Sequence, residues 1–398
     1  MEVTIVEIKG AEDAAAQIAG VGAHPYAVLS MAPKAAVFAV KLSGIDNRAA
    51  NLVKQDALGV GADAAISADV SCFKKGVSDL LIFANLKQYN ILAEKFSVQP
   101  FGLGAVGRKI ETALTNYQKK TFKIKCGSRT LWLGERPLVM GILNVSPDSF
   151  SKDGLFECPE GALERALAME ADGAKIIDIG GESSRPGSSK VTSKEEKQRV
   201  LPVLKKVVKK VKVPISIDTR KSDVARAALE NGATIINDIS GLRNDNGLMA
   251  RVVARYRVPV IIMHMLGMPR TMQKNPVYDE VVGDIGGFFS GRIKFALDSG
   301  IKPEQILLDP GIGFGKTVEH NIEILKRLKE FKIFGCPLVV GTSRKSFIGK
   351  LLNQDDPRDR KEGSLATFVW AALNGANILR VHDVKATVNA LKIVEALS

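Results

Sequence analysis

The chain has 398 residues, 45% of them hydrophobic and 25% charged, which is the balance of a soluble globular protein long enough for two domains. No run reaches the roughly 18 uninterrupted apolar residues of a membrane span, and "MEVTIVEIKG" lacks the basic-then-apolar order of a signal peptide, so the sequence excludes a membrane partner and predicts a cytoplasmic protein. The net charge of +13 is unevenly placed, +2 over residues 1–120 and +11 over the remainder, which suits an anionic substrate or nucleic acid.

Residues 1–120 alternate apolar runs with helical patterns. "VTIVEI", "AVFAVKL" and "LLIFAN" read as strands, "NRAANLVKQDALGVG" and "LGAVGRKIETALTNYQKK" as helices, giving a small α/β domain of unknown role. Within it "GLGAVG" matches the dinucleotide-binding glycine pattern. However, no convincing strand precedes it and no acid stands about 20 residues on, so its glycines are read as helix-entry positions.

Residues 121–398 form the second domain. From Pro137 onward eight apolar runs recur: "PLVMGILNV", "AKIIDIGG", "PISIDT", "TIINDIS", "PVIIMHM", "ILLDPG", "PLVVGTS" and "ILRVHD". Helical patterns separate them. Continuous Val/Ile/Leu strands mean a parallel sheet covered on both faces, and eight such units in about 260 residues predict a (β/α)8 TIM barrel over a doubly wound open sheet. "FKIKCGSRTLWLG" (122–134) reads as a hairpin plugging the lower end of that barrel. The lysine-rich run Lys197–Val213 has apolar residues at helical spacing and no interleaved aromatics. It is therefore a solvated helix face, and nucleic acid is not an expected partner. Cys72, Cys126, Cys158 and Cys336 are scattered, with no CxxC, and read as spectator thiols.

Nearly every barrel strand ends on a polar residue: Asn144; Asp178 and Glu182; Asp218; Asn237 and Asp238; His264; Asp309; Ser343 to Lys345; Arg380, His382 and Asp383. Reacting groups in such barrels stand at these C-terminal ends, and an unpaired desolvated polar group costs about 1–3 kcal/mol, so the set should converge on a polar ligand. "DPGIGFGKT" (309–317) imitates a phosphate loop, but the glycine required five residues before Gly315 is replaced by Pro310. Asp218, Asn237, Asp309 and Lys345 together suit a flat heterocycle with amidine-like N–H groups and a carbonyl. Arg380 and His382, alternate residues of one strand, suit phosphates, and Asn144 suits a Mg2+ ion that already carries phosphate oxygens. The chemistry so implied is displacement of a diphosphate from a heterocycle.

"GILNVSPDSFSKDG", "IDIGGESSRPG", "SIDTRK", "INDISG", "DPGIGFGKT", "GTSRKSFIG" and "LRVHDV" occur in this order over residues 121–398, and together they resemble the dihydropteroate synthase family. The resemblance implies a pterin-binding (β/α)8 barrel. Its reaction joins hydroxymethyl-dihydropterin diphosphate to para-aminobenzoate and releases diphosphate, and such enzymes are homodimers. By matching position, Asp218, Asn237, Asp309 and Lys345 would hold the pterin. Met263 and Phe314 would form apolar walls, and Arg380 would stack on the ring. Asn144 (through Mg2+), Arg380 and His382 would anchor the diphosphate, Ser343 would bind substrate, and Ser184, Arg185 and Pro186 would shape the aminobenzoate pocket while Asp153 would steady the reacting centre. The family often has Thr where Ser184 stands and "SDGG" where this chain has "SKDG". In the family's mechanism the C–O bond loosens first, and the neutral aniline nitrogen then attacks a cation at the exocyclic methylene.

Plainer readings apply elsewhere. His264 is equally a satisfied wall residue, His24 and His320 read as surface residues, Asp178 and Glu182 as orienting groups or barrel-layer polars, and Met249, Met265, Met268 and Met272 as packing. A pterin-dependent methyltransferase acting on methyl-folate and a corrinoid protein is the alternative enzyme. "SRKSFIG" and "RVHD" favour the synthase, because methyl transfer has no diphosphate to grip. A non-catalytic pterin-binding regulator is the remaining alternative.

Overall fold

The computed structural model describes residues 3–134, 136–145, 159–183, 191–269 and 271–397. The chain divides into two compact units, Met1–Thr115 and Asn116–Ser398.

The N-terminal unit is built on a three-stranded antiparallel sheet of β1 (Val37–Asp46), β2 (Asp63–Ile66) and β3 (Val77–Asn85), in the order β1-β3-β2. One face of the sheet is covered by helices Asn47–Gly59 and Leu86–Ser97, whose Ala49, Ala50, Val53, Tyr89, Leu92 and Phe96 are buried with Leu80 and Ile82. Asn85 and Gln88 close a reciprocal capping box at the start of the second helix. Gly104 and Gly107 of "GLGAVG" lie inside helix Leu103–Gln118. A methyl group at Gly107 would sit 3.3 Å from the carbonyl oxygen of Ala93, so the glycines serve close helix packing and not a dinucleotide. The expected strand "VTIVEI" is absent: Val3 to Lys9 are exposed and without regular structure. Alternation alone does not make a strand, since its backbone needs a hydrogen-bonding neighbour, and β1 pairs with β3. Helices Ala11–Gly20 and Pro25–Ala35 and the four-residue β2 escape a reading by pattern, because alanine-rich stretches carry little hydrophobic periodicity.

In the C-terminal unit the hairpin of β4 (Phe122–Cys126) and β5 (Arg129–Leu133) precedes eight parallel strands: β6 (Leu138–Asn144), β7 (Ile176–Gly180), β8 (Ile215–Asp218), β9 (Ile235–Asp238), β10 (Val260–Met263), β11 (Ile306–Asp309), β12 (Val339–Val340) and β13 (Ile378–Val381). Their order is β11-β10-β9-β8-β7-β6-β13-β12, and a parallel bridge between Leu308 and Leu338 closes the ring. This is the (β/α)8 barrel the eight apolar runs predict. Helices between successive strands bury a ring of Val, Ile, Leu and Ala against the outer face. Inside, Ile124, Cys126 and Leu133 of the hairpin pack with Met140, Ile176, Ile235, Ile261, Leu307, Val339 and Ile378. The hairpin therefore plugs the N-terminal end. With that end filled by hydrocarbon, polar side chains have only the C-terminal mouth to occupy.

Candidate active site

Strand register sets the site. Asn144 pairs with Gly180, Gly180 with Asp218 and Asp218 with Asn237, so one rung across β6, β7, β8 and β9 carries an amide, a glycine, a carboxylate and a second amide. Gly180 leaves the rung open: a methyl group there would lie 3.7 Å from Asp218 Oδ2 and 3.8 Å from Asn144 Oδ1. Two residues earlier on the same face of β7, Asp178 forms the layer beneath.

Arg380, from β13, ties these layers together. Its Nε donates to Asp178 Oδ2 at 2.6 Å and its Nη2 to Asp218 Oδ2 at 2.7 Å. Asn237 Nδ2 donates to the same Asp178 oxygen at 3.1 Å. Asp178 is wholly buried and its Oδ1 has no partner. Burial opposes the charge on Arg380, but Asp178 and Asp218 more than offset it and hold the guanidinium firmly protonated. For Asp218 the balance runs the other way. Burial, assisted by the negative charge of Asp178, outweighs Arg380 and pushes its carboxyl up to about 7.

Asp309, at the end of β11, is buried and accepts the Gly311 N–H at 2.7 Å. Burial raises its pKa, and Lys345 is the foremost of the groups resisting that rise. Lys345 immediately precedes helix Ser346–Leu352. Its Nζ donates to the Ile312 carbonyl and lies 4.6 Å from the centre of the Phe314 ring. Burial brings this ammonium down to about 8, against the pull of Asp309. Phe314 packs on an apolar patch of Ile239, Met263, Met265 and Met272. Met263, Met265 and Met272 are thus wall and packing residues, as is Met249 in the outer core, whereas Met268 is exposed.

His382 lies two residues beyond Arg380, with Nδ1 2.9 Å from Ser343 Oγ. Burial and the neighbouring Arg380 and Arg344 bring it down to about 3, so the ring is neutral and offers one N–H. Arg344 is held away by a two-pronged pair with Asp383 at 2.7 and 3.0 Å. Beside the mouth, Glu182 binds Arg220 at 3.2 Å and Lys221 at 2.9 Å, and Lys221 also meets the wholly buried Glu196. Glu182 and Asp178 are therefore orienting groups. Glu196, Lys221 and Arg220 escape a reading of the sequence because they lie off the strand ends.

Asn144, Asp218, Asn237, Met263, Asp309, Phe314, Ser343, Lys345, Arg380 and His382 thus all stand at one end of the barrel, on or just beyond the strands that carry them. Asp153, Ser184, Arg185 and Pro186, like Cys158, lie outside the described residues. Cys126 and Cys336 are buried, and burial pushes both thiols up to about 12, which suits inert packing; Cys72 is exposed. His24 is exposed, but His320 is half-buried and completes a capping box with Thr317, so it is no free surface residue. His264 is buried, with Nδ1 2.9 Å from Lys316 Nζ.

The arrangement offers acceptors and donors for the edge of a flat heterocycle, an apolar and cationic wall for its face, and Arg380, His382 and Ser343 for an anion beside it. Comparison with known proteins agrees. Residues 140–382 match the family model described as pterin binding enzyme. Escherichia coli dihydropteroate synthase is 50% identical over 260 residues, covering 65% of this chain and 91% of that protein. The Xanthomonas albilineans dihydropteroate synthase solved with 4-aminobenzoic acid superposes with a TM-score of 0.65 at 43% identity, covering 70% of this chain and 98% of that one. A probable bifunctional folylpolyglutamate synthase/dihydropteroate synthase of Halobacterium salinarum is 37% identical over 358 residues, covering 88% of this chain and 42% of that protein, so its likeness runs past the barrel into the N-terminal unit. On its architecture, its strand-end residues and these likenesses, the chain belongs to the dihydropteroate synthase family of pterin-binding enzymes.

Proposed function

We propose that the barrel mouth binds hydroxymethyl-dihydropterin diphosphate and joins its methylene carbon to the amine of para-aminobenzoate, releasing diphosphate. The observation that carries this reading is Arg380. Its guanidinium is held by Asp178 and Asp218 within the cup, and His382 follows two residues later, just past the end of β13, so one cation borders both the ring pocket and the anion pocket.

Asn237, Asp309 and Lys345 bind the ring edge, and Met263 and Phe314 line its face. Arg380, the His382 N–H and Ser343 receive charge growing on the departing diphosphate, and Asp218, once ionised, steadies the positive charge left on the ring. Aniline nitrogen is neutral at pH 7, so its attack needs no strong base. Ser184, Arg185 and Pro186 belong to the aminobenzoate side and Asp153 to the reacting centre. Asn144 offers a neutral side-chain oxygen on the rung that Asp218 also occupies, with Gly180 between them, and would hold a Mg2+ ion that already carries phosphate oxygens. When bound, that ion neutralises the leaving group.

A cytoplasmic homodimer completes the reading. The last two helices expose Trp370, Leu373, Ile393 and Leu397, and among the described residues no helix is long and apolar enough to cross a membrane. The deciding experiment supplies the purified chain with Mg2+, the pterin diphosphate and para-aminobenzoate. Stoichiometric diphosphate and dihydropteroate are expected. Methyl transfer from methyl-folate to a corrinoid protein, without diphosphate release, would instead establish the methyltransferase.

A further inference from the structure

Among the buried titratable groups that the chemistry of the barrel mouth leaves unused, Lys316 and His264 face each other. Lys316 is the lysine of "DPGIGFGKT" and is 3% exposed. Its three N–H groups meet three acceptors: the Gly311 carbonyl at 3.0 Å, the Phe314 carbonyl at 3.1 Å and His264 Nδ1 at 2.9 Å. His264 fits that role because burial, reinforced by Lys316 and Arg243, brings its ring down to about 2, leaving it neutral with a lone pair to offer. Its other faces are closed by Phe288, edge-on at 4.9 Å, and Tyr278 at 6.0 Å.

The loop around this hub has no freedom to form otherwise. Gly311, Gly313 and Gly315 all have positive φ (66°, 80° and 62°), and a methyl group at Gly311 would sit 1.9 Å from the His264 carbonyl oxygen. Such a loop turns its carbonyls away from one another, and each needs a donor. Lys345 serves Ile312, Gln273 serves Gly313 at 2.7 Å, Tyr278 serves Gly315 at 2.8 Å, and Lys316 serves two, Phe314 and Gly311, the second of which also accepts the Phe314 N–H at 3.1 Å. One of those two, Gly311, gives its N–H to Asp309, and the other, Phe314, carries the ring under the Lys345 ammonium.

We propose that Lys316 is a positioning residue for the pterin pocket: its ammonium group ties Gly311, Phe314 and His264 into one hub and so holds the Asp309 carboxylate and the Phe314 ring where the pterin's edge and face must meet them. The proposal rests on the pterin reading of the site. It also has an electrostatic side. The groups facing Asp309 are Lys345, Arg380, Lys316 and the Gly311 N–H, and all four resist the upward push of burial. Burial pushes the Lys316 ammonium well below its usual range, assisted by Lys345, and Asp309 is the group that resists this, so the two charges support one another. Removing Lys316 then lets Asp309 take up its proton at a higher pH, and a protonated acid no longer accepts two N–H groups from the ring edge.

The test titrates the full-length chain with hydroxymethylpterin, which lacks diphosphate and reports on the ring pocket alone, between pH 6 and 9. Lys316→Met, Lys316→Arg and His264→Leu are compared with wild type, with thermal unfolding recorded for each. Lys316→Met is expected to weaken binding at least tenfold at pH 7.5, with a larger deficit as pH falls. Lys316→Arg should restore the pH dependence more fully than the affinity, because it keeps the charge but misplaces the donors. His264→Leu, which removes one acceptor, should give an intermediate loss, and it decides the matter if Lys316→Met does not fold. A folded variant at Lys316 or His264 that binds the pterin with wild-type affinity and pH dependence would overturn the proposal. No binding by the wild-type chain would overturn the pterin reading and this proposal with it.

Discussion

Arg380 reaches Asp218 across 162 residues of sequence, and the contact, Nη2 to Oδ2 at 2.7 Å, fails to make Asp218 a strong acid. A lone Asp–Arg pair lowers a carboxylate's pKa. Here burial and the second carboxylate, Asp178, prevail, and Asp218 titrates near 7. Across the cup, Lys345 is brought down to about 8. Catalysis as proposed needs Asp218 ionised and Lys345 protonated. The first condition improves as pH rises through about 7, and the second fails as it rises through about 8. A plot of kcat/KM for the pterin diphosphate against pH should therefore be a narrow bell with its maximum between those limbs, whose apparent pKa values belong to the coupled set. A profile flat from pH 6 to 9 would contradict both assignments.

Asp178 touches no reacting atom in this scheme, yet it sets Arg380 and Asn237 and raises the pKa of Asp218. Asp178→Asn keeps the shape and removes the charge. The acid limb should then move to lower pH, because a neutral amide no longer resists ionisation of Asp218. At the same time kcat/KM should fall about 30- to 150-fold, since a charge-assisted bond of ~2–3 kcal/mol to Arg380 is lost. Rate measurements at five or six pH values separate the two effects. A drop in rate with an unmoved limb would reduce Asp178 to a purely mechanical role.

Asp218→Asn tests a different claim, that the carboxylate acts on charge created during the reaction. The amide can still accept one hydrogen bond from the ring. Pterin affinity, read by calorimetry, should change less than tenfold, while kcat falls by about 100-fold or more, the scale of losing one electrostatic contact to a transition state. Equal losses in affinity and turnover would assign Asp218 to binding alone.

The barrel is legible in the sequence because β6 to β13 are buried on both faces and so appear as unbroken apolar runs, each ending where the polar mouth begins. Asp309 and Lys345 can be read for the same reason, from their places at the ends of "ILLD" and "GTSRK". What local pattern does not encode is which charges neutralise one another. Asp178 and Arg380 are 202 residues apart, and the Glu182–Lys221–Glu196 network joins a strand end to a helix interior. Lys316 is hidden differently. Its motif invites a nucleotide reading, and only burial reveals a lysine turned inward. The N-terminal unit misleads in its first residues because "VTIVEI" alternates like a strand but pairs with no strand among the described residues.

The hairpin plug should govern stability without touching chemistry. Leu133 and Ile124 are 1% and 2% exposed and belong to a cluster with one inner-layer residue from each of seven barrel strands. Replacing either with Ala leaves a cavity at the end opposite the mouth and should cost about 2–5 kcal/mol, with KM values unchanged. Urea denaturation beside steady-state kinetics gives both numbers. A change in KM of more than about threefold would mean that the lower layers transmit their packing to the rung carrying Asp218.

Residues 1–115 should be dispensable for turnover. The barrel's outer core and inner plug draw their buried residues entirely from position 122 onward, and every residue placed at the mouth follows Gly141. The N-terminal unit likewise has its own core, to which helix Leu103–Gln118 contributes Leu103, Ile110 and Leu114. A fragment beginning at Asn116 loses those three side chains together with the core they served, and it keeps the Asn116 amide that donates to the Ile333 carbonyl at 2.9 Å. It should unfold in one cooperative transition and retain kcat/KM within about tenfold of the whole chain, as expected when two cores share no buried residues. A fragment that folds but loses more than a hundredfold in rate would mean that residues before 116 contribute to the active site, and the barrel could no longer be treated as the complete catalyst.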